Sequence, residues 1–425
     1  MHILFLSHYY PPEVNAPASR TSEHCREWVA AGHRVTVLTC APNHPAGQLY
    51  SGYRNRLFQR EMMDGVEVIR VWTWIAANRG FLLRTLNYVS YMIGATLALI
   101  RLKRPDIVVS TSPQFFCGLT GYIVKILRRV PWVLEVRDIW PESIVTVGAM
   151  KKGRLTLFLE WLERFAYRRA NAIVALTDSF KSHIAERCGD PDKIFIIKNG
   201  VDLRLFNRVT AADEAKSTLG FENKFIAAYV GTHGMAHGLS SVLDAAQLTA
   251  DCSRILYLFV GDGAERQSLM KRAQELQLSN VRFLGQLPKA DMPTIWSATD
   301  VSLIVLSRNE LFRTVLPSKM FEAMAMACPI VLGVEGEAEA LLNEAQAGIA
   351  VTPEDALELA TAVRRLADEP STVQQFGENG LSFVTENFDR TKLAARYVEV
   401  LKSVAASPNR SRLKSNNALK AVDKQ

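Results

Sequence analysis

The chain has 425 residues, of which 48% are apolar and 22% are charged, and its formal net charge is +7. This length favours two domains over one, and the apolar content is enough for two buried cores. The positive charge suits anionic partners such as phosphates or acidic lipids. The basic residues are dispersed and form no nucleic-acid-binding motif, so nucleic acid is excluded from the expected partners.

Six cysteines are scattered along the chain without a CxxC pair. This usage favours reduced thiols in a cytosolic protein over a disulfide framework or a zinc site. No pair of acidic residues of the DxD type stands out, so no metal site is expected. The N-terminal run MHILFLSHYYPP has no basic segment followed by a long apolar one, which predicts a first strand and not a signal peptide.

Strands and helices alternate through the first 200 residues. The first strand covers residues 2–7, and a polar loop leads to a helix from about Thr21 to Ala31. Further apolar runs predict strands at residues 33–40, 66–72, 106–110, 132–138, 172–177 and 193–200. Strands separated by helices imply a parallel sheet with helices on both faces.

The dipeptide Asn199-Gly200 interrupts this pattern and marks a domain boundary. The alternation then restarts, with strands predicted at residues 224–231, 254–261, 281–285, 301–306, 328–333 and 347–351. We therefore predict a doubly wound α/β protein in which the ligand crevice lies at the carboxyl ends of the strands. The predicted parts are an N-terminal domain (1–200), a C-terminal domain (201–389), a crossover helix (390–405) and a flexible basic tail (406–425).

The stretch 310–333 follows the predicted strand at 301–306 and completes a strand–loop–helix–strand unit with it. Ser318 is placed to cap the helix, and Lys319 adds a positive charge beside the free amides of the first turn, which favours phosphate. Glu322 lies one turn further, where a carboxylate can accept from paired sugar hydroxyls. The pattern predicts a nucleotide-sugar site, although an ordinary αβ unit with a capped helix explains it equally well.

Six motifs follow one another in a fixed order along residues 1–405. They are HYYPPE after the first strand, RDIWPES (137–143), KNGVD (198–202), YVGTHGMAHGL (229–239), VGDGAE (260–265) and VLPSKMFEAMAMACPIV (315–331). With these motifs the chain resembles the family 4 retaining glycosyltransferases, in particular the bacterial O-antigen and colanic-acid-type transferases. The resemblance implies the GT-B fold, which has two facing Rossmann-like domains and a C-terminal crossover helix.

The resemblance implies that the second domain binds the sugar nucleotide and the first binds the acceptor. Glu322 is similar to the family's ribose-binding carboxylate, and Ser318 and Lys319 would lie by the diphosphate. The implied donor-binding residues are Gly231, His237, Gly238, Gly261, Asp262, Arg313, Leu316, Ser318, Lys319 and Glu322. Glycine in the loop after the first strand of this domain lets the backbone approach phosphate. Asp262 suits a cap of the following helix as well as it suits ligand contact.

The sequence departs from the family pattern at three places. Thr314 occupies the position of a first carboxylate eight residues before Glu322, and Thr232 and His237 lie where the family has diphosphate-binding cations. His237 could be protonated beside a diphosphate, although a surface histidine is the plainer interpretation. Neutralisation of the diphosphate is thereby shifted toward Lys319, Arg313 or Arg308. The third departure is Arg137, in place of a histidine.

The catalytic candidates are Asp138, Arg137 and Glu13. Arg137 and Asp138 follow a strand in RDIWPES, with a structural salt bridge plus a helix cap as the alternative interpretation. Glu13 lies in the loop after the first strand, where Arg20, Asn15 and Ser19 are further candidates. The family's front-face transfer needs no dedicated nucleophile, so none is named. Asp138 is expected to orient the acceptor hydroxyl, and no cofactor beyond the donor, with UDP favoured, is expected.

The segment 81–104 combines apolar residues with basic flanks. A buried helix of the N-terminal domain is the leading interpretation, and docking at a membrane surface is the alternative. The basic–aromatic pieces LRRVPW (127–132) and RFAYRR (164–169) favour contact with anionic lipid if they share a surface. The expected partners are a polyprenyl-diphosphate-linked saccharide acceptor and the cytoplasmic membrane surface, with the protein attached peripherally to its inner face.

Two other functions fit a chain of this type. A sugar-nucleotide epimerase or hydrolase on the same fold would need no acceptor. A non-catalytic nucleotide-sugar-binding partner in a polysaccharide assembly complex would bind without turnover, and the threonine at position 314 favours it. A nicotinamide dehydrogenase is disfavoured, because no strand is followed by GxGxxG with an acidic residue about 20 positions later.

Overall fold

The structure is a computed structural model that describes residues 1–44, 47–76, 81–112, 115–142, 153–207 and 210–406. The chain forms two compact units. The first contains Met1–Lys198 and the chain from Thr391 onward, and the second contains Asn199–Arg390. All six cysteines are free thiols. The predicted tail from residue 407 onward and Ser143 of RDIWPES lie outside the described residues.

The first unit contains an eight-stranded sheet in the order β3-β4-β2-β1-β5-β6-β7-β8. The strands are β1 His2–Leu6, β2 Arg34–Cys40, β3 Phe58–Met63, β4 Val66–Val71, β5 Ile107–Thr111, β6 Trp132–Val136, β7 Ala172–Ala175 and β8 Ile194–Ile196. The helices described within residues 1–198 are Ala16–Ala30, Phe81–Ala98, Phe115–Arg128, Arg154–Arg169 and Asp178–Cys188. Most strands are parallel and buried on both faces, which is why they read as continuous apolar runs.

The edge strand β3 was not predicted. It pairs antiparallel with β4, whereas the sequence predicts parallel strands alone. Its sequence FQREMM is half polar because one face meets solvent. The turn Asp64-Gly65, with positive φ at both residues, is the hairpin signal that could have revealed it.

The first helix begins at Ala16, earlier than the predicted start near Thr21. Asn15 has an extended backbone, and its Oδ1 accepts a hydrogen bond of 2.9 Å from the amide of Ala18. Pro17 lies in the first turn, where the missing N–H has no intrahelical partner to lose. Asn15 therefore caps the helix.

The C-terminal helix Arg390–Ala406 packs on the first unit. Leu393, Ala394 and Tyr397 belong to the same buried cluster as Trp28 of the first helix. The indole Nε1 of Trp28 donates a hydrogen bond of 3.0 Å to the carbonyl oxygen of Ala394. The helix Arg390–Ala406 is thus part of the core of the N-terminal unit.

The second unit contains a six-stranded parallel sheet in the order β11-β10-β9-β12-β13-β14. The strands are β9 Phe225–Val230, β10 Ile255–Val260, β11 Val281–Leu284, β12 Val301–Val305, β13 Ile330–Gly333 and β14 Gly348–Ala350. The helices are Ala212–Leu219, Ser240–Leu248, Arg266–Glu275, Met292–Ala298, Lys319–Ala325, Glu337–Ala345, Ala356–Asp368 and Pro370–Asn387. Every strand predicted for this half of the chain is present.

Each sheet reverses its strand order once beside a central strand. In the first sheet β1 lies between β2 and β5, and in the second β9 lies between β10 and β12. In sheets of this type the loops at the carboxyl ends of such strands form the ligand crevice. The predicted pair of Rossmann-like α/β domains is confirmed.

Arg20 does not line a cleft, as the sequence suggested, but is buried with 2% of its surface exposed. Its Nε lies 3.3 Å from Oε2 of Glu135, which is also buried. The guanidinium also donates to the carbonyl oxygens of Lys198, at 3.0 Å, and Ile197, at 2.9 Å. Arg20 therefore connects the first helix to β6 and to the segment after β8.

We predict that Arg20→Met lowers the free energy of unfolding by about 3–5 kcal/mol, because the buried carboxyl group of Glu135 would lose the cation beside it. Chemical denaturation followed by circular dichroism measures the change. Arg272→Met breaks a half-exposed pair with Asp244 and is the matched control. The control should change the free energy by at most about 1 kcal/mol. Equal effects of the two substitutions would contradict the structural role of Arg20.

Candidate functional site

Two loops at the carboxyl ends of β9 and β10 pack backbone against backbone. Gly231 and Gly261 have φ angles of +139° and +133°, a region that favours glycine. A Cβ atom at Gly261 would overlap the carbonyl oxygen of Gly231. The amide of His233 donates to the carbonyl oxygen of Asp262 at 2.9 Å. These contacts fix the glycine-rich loop at the carboxyl edge of the second sheet.

Lys319 extends its side chain to this edge. Its Nζ lies 3.7 Å from the centre of the Tyr229 ring and beside Gly231. The residue is partly exposed, but Nζ itself is buried and has no hydrogen-bond acceptor among the described residues. Burial lowers the pKa of Lys319 to about 7, although the charge of Glu322 acts to raise it. An ammonium group without an acceptor at the carboxyl edge of a sheet is suited to bind an anion.

His237 is neutral at neutral pH. Burial, and then the charge of Lys319, lower its pKa to about 3. His233 is fully buried, and burial together with Arg266 lowers its pKa to about 4. The hypothesis that His237 supplies a positive charge is therefore corrected, since Lys319 already lies nearby and disfavours a second cation.

Ser318 does not cap the following helix, contrary to the prediction. Its backbone is already helical, with φ −58° and ψ −28°, and its side chain bonds to no amide of the first turn. An N-cap residue needs a non-helical backbone. The Oγ of Ser318 lies 3.3 Å from Nδ2 of Asn199, which joins the KNGVD and VLPSK motifs. The carboxylate of Glu322 lies in the first turn of the helix Lys319–Ala325, and Leu316 is buried in the core.

Gly238 and Asp262, also predicted to lie around the donor, are at the same edge of the sheet. Gly238 has a φ of +57° and ends the short turn that carries His237. Asp262 accepts a hydrogen bond of 2.8 Å from the amide of Gly263. The next helix begins at Arg266 with Glu265 as its N-cap residue, so the alternative that Asp262 caps this helix is wrong.

Arg313 is half exposed and lies next to carboxylates. It is 3.3 Å from Glu310 and 3.8 Å from Glu335. Thr314 donates its hydroxyl to the carbonyl oxygen of Leu311 at 2.8 Å. Neighbouring carboxylates thus compete with any ligand for the charge of Arg313, which leaves Lys319 better placed to meet an anion.

A cavity of about 600 Å³ lies beside Arg313, where β12 and β14 end. The cavity as a whole was not predicted, because its walls come from four separate segments. Its charged lining residues are Arg308, Glu310, Arg313, Glu335, Glu339 and Glu358. The amide of Arg308 also donates to Oε2 of Glu354 at 3.0 Å. The cavity is polar and of mixed charge, which suits a hydroxyl-rich ligand better than a second anion.

In the first unit Glu13 is buried and bonded to the backbone. Its Oε1 accepts hydrogen bonds of 2.9 Å from the amides of both Asn43 and His44. Burial raises the pKa of Glu13, and these two amides oppose that rise. Glu13 therefore fixes the loop after β2, a role that needs tertiary contacts and has no signal in the local sequence.

Arg137 and Asp138 lie at the carboxyl end of β6 as predicted from the strand pattern. The amide of Arg137 donates to Oγ of Ser112 at 2.9 Å, and its guanidinium donates to the carbonyl oxygen of Pro17 at 3.2 Å. Asp138 is partly buried at a small pocket that Tyr167 also lines. The structure thus joins Arg137 to the start of the first helix, and Asp138 remains at a partly open position.

Glu142 of the RDIWPES motif forms ion pairs within the first unit. Its Oε2 lies 3.6 Å from Arg187 and 3.8 Å from Nδ1 of His183. The salt-bridge interpretation of this motif therefore holds for Glu142. Within the described ranges, no group of three or more His, Cys, Asp and Glu side chains is placed to hold a metal ion.

Three helices of the first unit share one buried cluster and expose their opposite faces. Residues Tyr91, Val124 and Ala166 of helices Phe81–Ala98, Phe115–Arg128 and Arg154–Arg169 belong to this cluster. We name their opposite side the outer helical surface, defined by the exposed apolar residues Leu83, Leu86, Ile93, Leu97, Ile100, Ile126, Leu127, Leu155, Leu157, Phe158 and Trp161. More than half of the large apolar side chains exposed in the described parts of the chain lie here.

Basic residues accompany this apolar surface. Exposed cations of the same three segments are Arg101, Lys103, Arg104, Arg129, Arg154, Arg164, Arg168 and Arg169. The same segments contain two carboxylates, of which Glu160 is partly buried and Glu163 is buried.

The prediction of a buried helix at 81–104 holds for one face only. Among the helices that the structure describes, none has the length and hydropathy needed to cross a membrane.

Two family models match the chain. One is described as a Glycosyl transferase 4-like domain and matches residues 15–200, and the other is described as Glycosyl transferases group 1 and matches residues 211–383. Over 273 residues the chain is 29% identical to the Probable glycosyltransferase WbjE of Pseudomonas aeruginosa, covering 63% of this chain and 67% of that protein. Over 378 residues it is 26% identical to the Putative colanic acid biosynthesis glycosyl transferase WcaI of Escherichia coli (strain K12), covering 86% and 92%.

Solved structures share the fold. Sucrose-phosphate synthase from Thermosynechococcus elongatus is similar with a TM-score of 0.74 and 18% identity, over 96% of this chain and 99% of that chain. Anabaena Alr3699/HepE in complex with UDP-glucose is similar with a TM-score of 0.71 and 18% identity, over 95% and 100%. At these identities the likeness establishes the fold alone.

Proposed function

The chain belongs to the glycosyltransferases that combine a 4-like N-terminal domain with a group 1 C-terminal domain, and on this basis we propose its donor, acceptor and place of action. The donor is a nucleoside-diphosphate sugar, with UDP and an N-acetylated amino sugar favoured. The acceptor is a saccharide linked to a lipid diphosphate in the synthesis of a surface polysaccharide such as O-antigen or capsule. No cofactor besides the donor is required.

The buried ammonium group of Lys319 is the observation that carries the donor proposal. It lies beside Gly231, at the end of the strand where the sheet changes order. A diphosphate at this position would accept hydrogen bonds from Nζ and from the amides of the glycine-rich loop. The UDP-glucose complex of a protein with the same fold supports a UDP-linked donor. The name of WcaI, a putative colanic acid biosynthesis glycosyl transferase, supports a role in polysaccharide synthesis.

The chemistry follows from charge stabilisation and positioning. When the sugar leaves the nucleotide, negative charge grows on the departing diphosphate, and Lys319 lies where it would stabilise that charge. Glu322 would accept hydrogen bonds from the ribose hydroxyls. Asp138 would orient the acceptor hydroxyl, which attacks on the face that the diphosphate leaves, so that the anomeric configuration is retained. Arg137 and Glu13 would act by holding the surrounding loops.

A non-catalytic nucleotide-sugar-binding role is the second candidate, and Thr314 favours it. The hydroxyl of Thr314 bonds to Leu311 within its own turn, at the position where a carboxylate would contact the donor sugar. An epimerase or hydrolase on the same fold would process the nucleotide sugar without an acceptor. Sugar transfer to an isolated lipid-linked saccharide separates these functions from the favoured one.

We predict that Lys319→Met weakens UDP binding about 10- to 100-fold, because a charge-assisted hydrogen bond to the diphosphate is lost. The same substitution should leave the melting temperature unchanged or raise it, because a buried ammonium without an acceptor is unfavourable. Glu322→Ala should also weaken UDP binding by about tenfold. Calorimetry and thermal denaturation measure the two quantities.

Lys271→Met is the matched control for these substitutions, because Lys271 is exposed on the helix Arg266–Glu275. It should change neither UDP binding nor stability. A dissociation constant for UDP that is the same in Lys319→Met and in the original protein would contradict the donor-site proposal.

Asp138→Asn should reduce the rate of sugar transfer at least tenfold while UDP affinity stays within about twofold, because the substitution removes a charge on the acceptor side. Transfer is measured with a radiolabelled nucleotide sugar and a lipid-linked acceptor, and UDP affinity by calorimetry. Asp178→Asn, at an exposed carboxylate of the same unit, is the control. Parallel losses of transfer and UDP affinity would argue against an acceptor-side role.

The proposed place of action is the cytoplasmic face of the plasma membrane, where the outer helical surface would meet anionic lipid. The surface combines apolar side chains with cations, a composition typical of interfacial binding. A second copy of the chain is a poorer partner for it, because two such surfaces would bring like charges together. An acidic bilayer complements both its charge and its apolar character.

We predict that the full-length protein sediments with vesicles of phosphatidylcholine containing 30% phosphatidylglycerol more than with phosphatidylcholine alone. Removing two charges with Arg101→Gln and Lys103→Gln should weaken partitioning about 30-fold, at about 1 kcal/mol per cation. Trp161→Ser should weaken it as well. The controls Leu357→Ser and Lys271→Gln alter exposed residues of the other unit and should have no effect. Equal sedimentation with both vesicle types would count against the lipid proposal.

A further inference from the structure

Tyr229 lies near the end of β9 with the face of its ring against Lys319. The centre of the ring is 3.7 Å from Nζ of Lys319, the distance of a close cation–π contact. The side chain of Tyr229 is fully buried, and its hydroxyl donates a hydrogen bond of 2.7 Å to the carbonyl oxygen of Thr232. This hydrogen bond fixes the orientation of the ring, so the ring defines where the ammonium group lies.

The other titratable groups around the ammonium of Lys319 provide little negative charge to stabilise it. His237, on the short turn before Gly238, and His233, after β9, are both neutral at neutral pH because burial lowers the pKa of each ring well below its ordinary value. Burial raises the pKa of Tyr229, which therefore stays protonated. Glu322, on the same helix as Lys319, is the group among these that carries a negative charge.

The protonated and neutral forms of Lys319 are therefore close in free energy near neutral pH. Burial lowers the pKa of this lysine to about 7. An anion that accepts a hydrogen bond from Nζ would stabilise the protonated form and draw a proton from solution. The nucleoside diphosphate of the proposed donor is such an anion.

We propose that Tyr229 is a positioning residue that holds the ammonium of Lys319 at the anion-binding position, and that nucleoside diphosphate binding there takes up one proton from solution. The proton adds to the amine of Lys319, and no covalent bond between protein and ligand forms or breaks. This inference rests on the proposed donor site and adds a linkage between donor binding and pH.

The linkage has a definite sign and size. The ligand binds the protonated form, so affinity falls as pH rises above the pKa of the free site. From pH 7 to pH 9 the protonated fraction of the free site falls about 50-fold, and the dissociation constant for UDP should rise by up to that factor. The terminal phosphate of UDP, with a second pKa near 6, is already ionised across this range. Uptake should therefore approach one proton per UDP at pH 8, fall to about half a proton at pH 7 and be small at pH 6.

Isothermal calorimetry of the full-length chain with UDP at pH 8, in HEPES and in Tris, measures the uptake, because the two buffers release protons with different enthalpies. Lys319→Arg is the matched control, since a guanidinium stays charged throughout this range. It should show no proton uptake and a dissociation constant that is flat between pH 7 and pH 9.

Two substitutions of Tyr229 test its positioning role. Tyr229→Phe keeps the ring and should retain the uptake, with UDP affinity within about threefold. Tyr229→Leu removes the ring, so the ammonium would move toward solvent and its pKa would return toward the ordinary lysine range. Uptake at pH 8 should then vanish and affinity at pH 7 should fall about 2- to 30-fold.

Each outcome decides between the proposals. UDP binding with equal enthalpy in both buffers overturns the proton linkage but leaves the donor site standing, whereas no UDP binding at all overturns both. Uptake that persists in Lys319→Arg, or in Tyr229→Leu, overturns the assignment to this pair. If circular dichroism shows that Tyr229→Leu is unfolded, the comparison with Lys319→Arg still decides the linkage.

Discussion

The buried ammonium of Lys319 is the interaction on which the proposed donor site depends. The buried guanidinium of Arg20 lies close to an opposite charge, that of Glu135. Nζ of Lys319 is instead buried against an aromatic ring with no acceptor among the described residues. Such an arrangement is unfavourable for folding by itself, and binding of an anion would offset that disadvantage. The ammonium of Lys319, which has no acceptor of its own among the described residues, is therefore well suited to bind an anionic ligand.

The architecture around Lys319 follows from two constraints on the second sheet. The carboxyl ends of β9, β10 and β12 meet where the strand order reverses, which is the place where sheets of this type bind ligands. Glycines at 231 and 261 then allow two loops to touch through their backbones, which fixes the position of both loops. Tyr229 bonds to the same loop through its hydroxyl, so loop, ring and ammonium form one connected unit. The position of the charge is thus a product of strand order and close backbone packing.

The first unit shows a different use of buried charge. Glu13 bonds to two amides of the loop after β2, and Arg20 bonds to Glu135 and to two carbonyl oxygens. These groups hold loops around the carboxyl edge of the sheet, while Asp138 stays partly exposed there. On the outer helical surface, in contrast, apolar side chains are exposed together with cations. The exposed apolar side chains and cations of the outer helical surface lie outside the buried core of this unit, which fits the proposed contact with a membrane.

The sequence by itself determined the fold class, because buried parallel strands appear as apolar runs and every predicted run became a strand. The ordered motifs determined the enzyme class, and the resemblance brought Lys319 and Glu322 forward as donor-site residues. The antiparallel edge strand β3 was missed, because its half-polar sequence carries no apolar run. Only the tertiary structure decided that Ser318 bonds to Asn199, that His237 is neutral, and that Glu13 and Arg20 are buried. Those properties depend on desolvation and on contacts between residues far apart in the chain, which local sequence patterns do not encode.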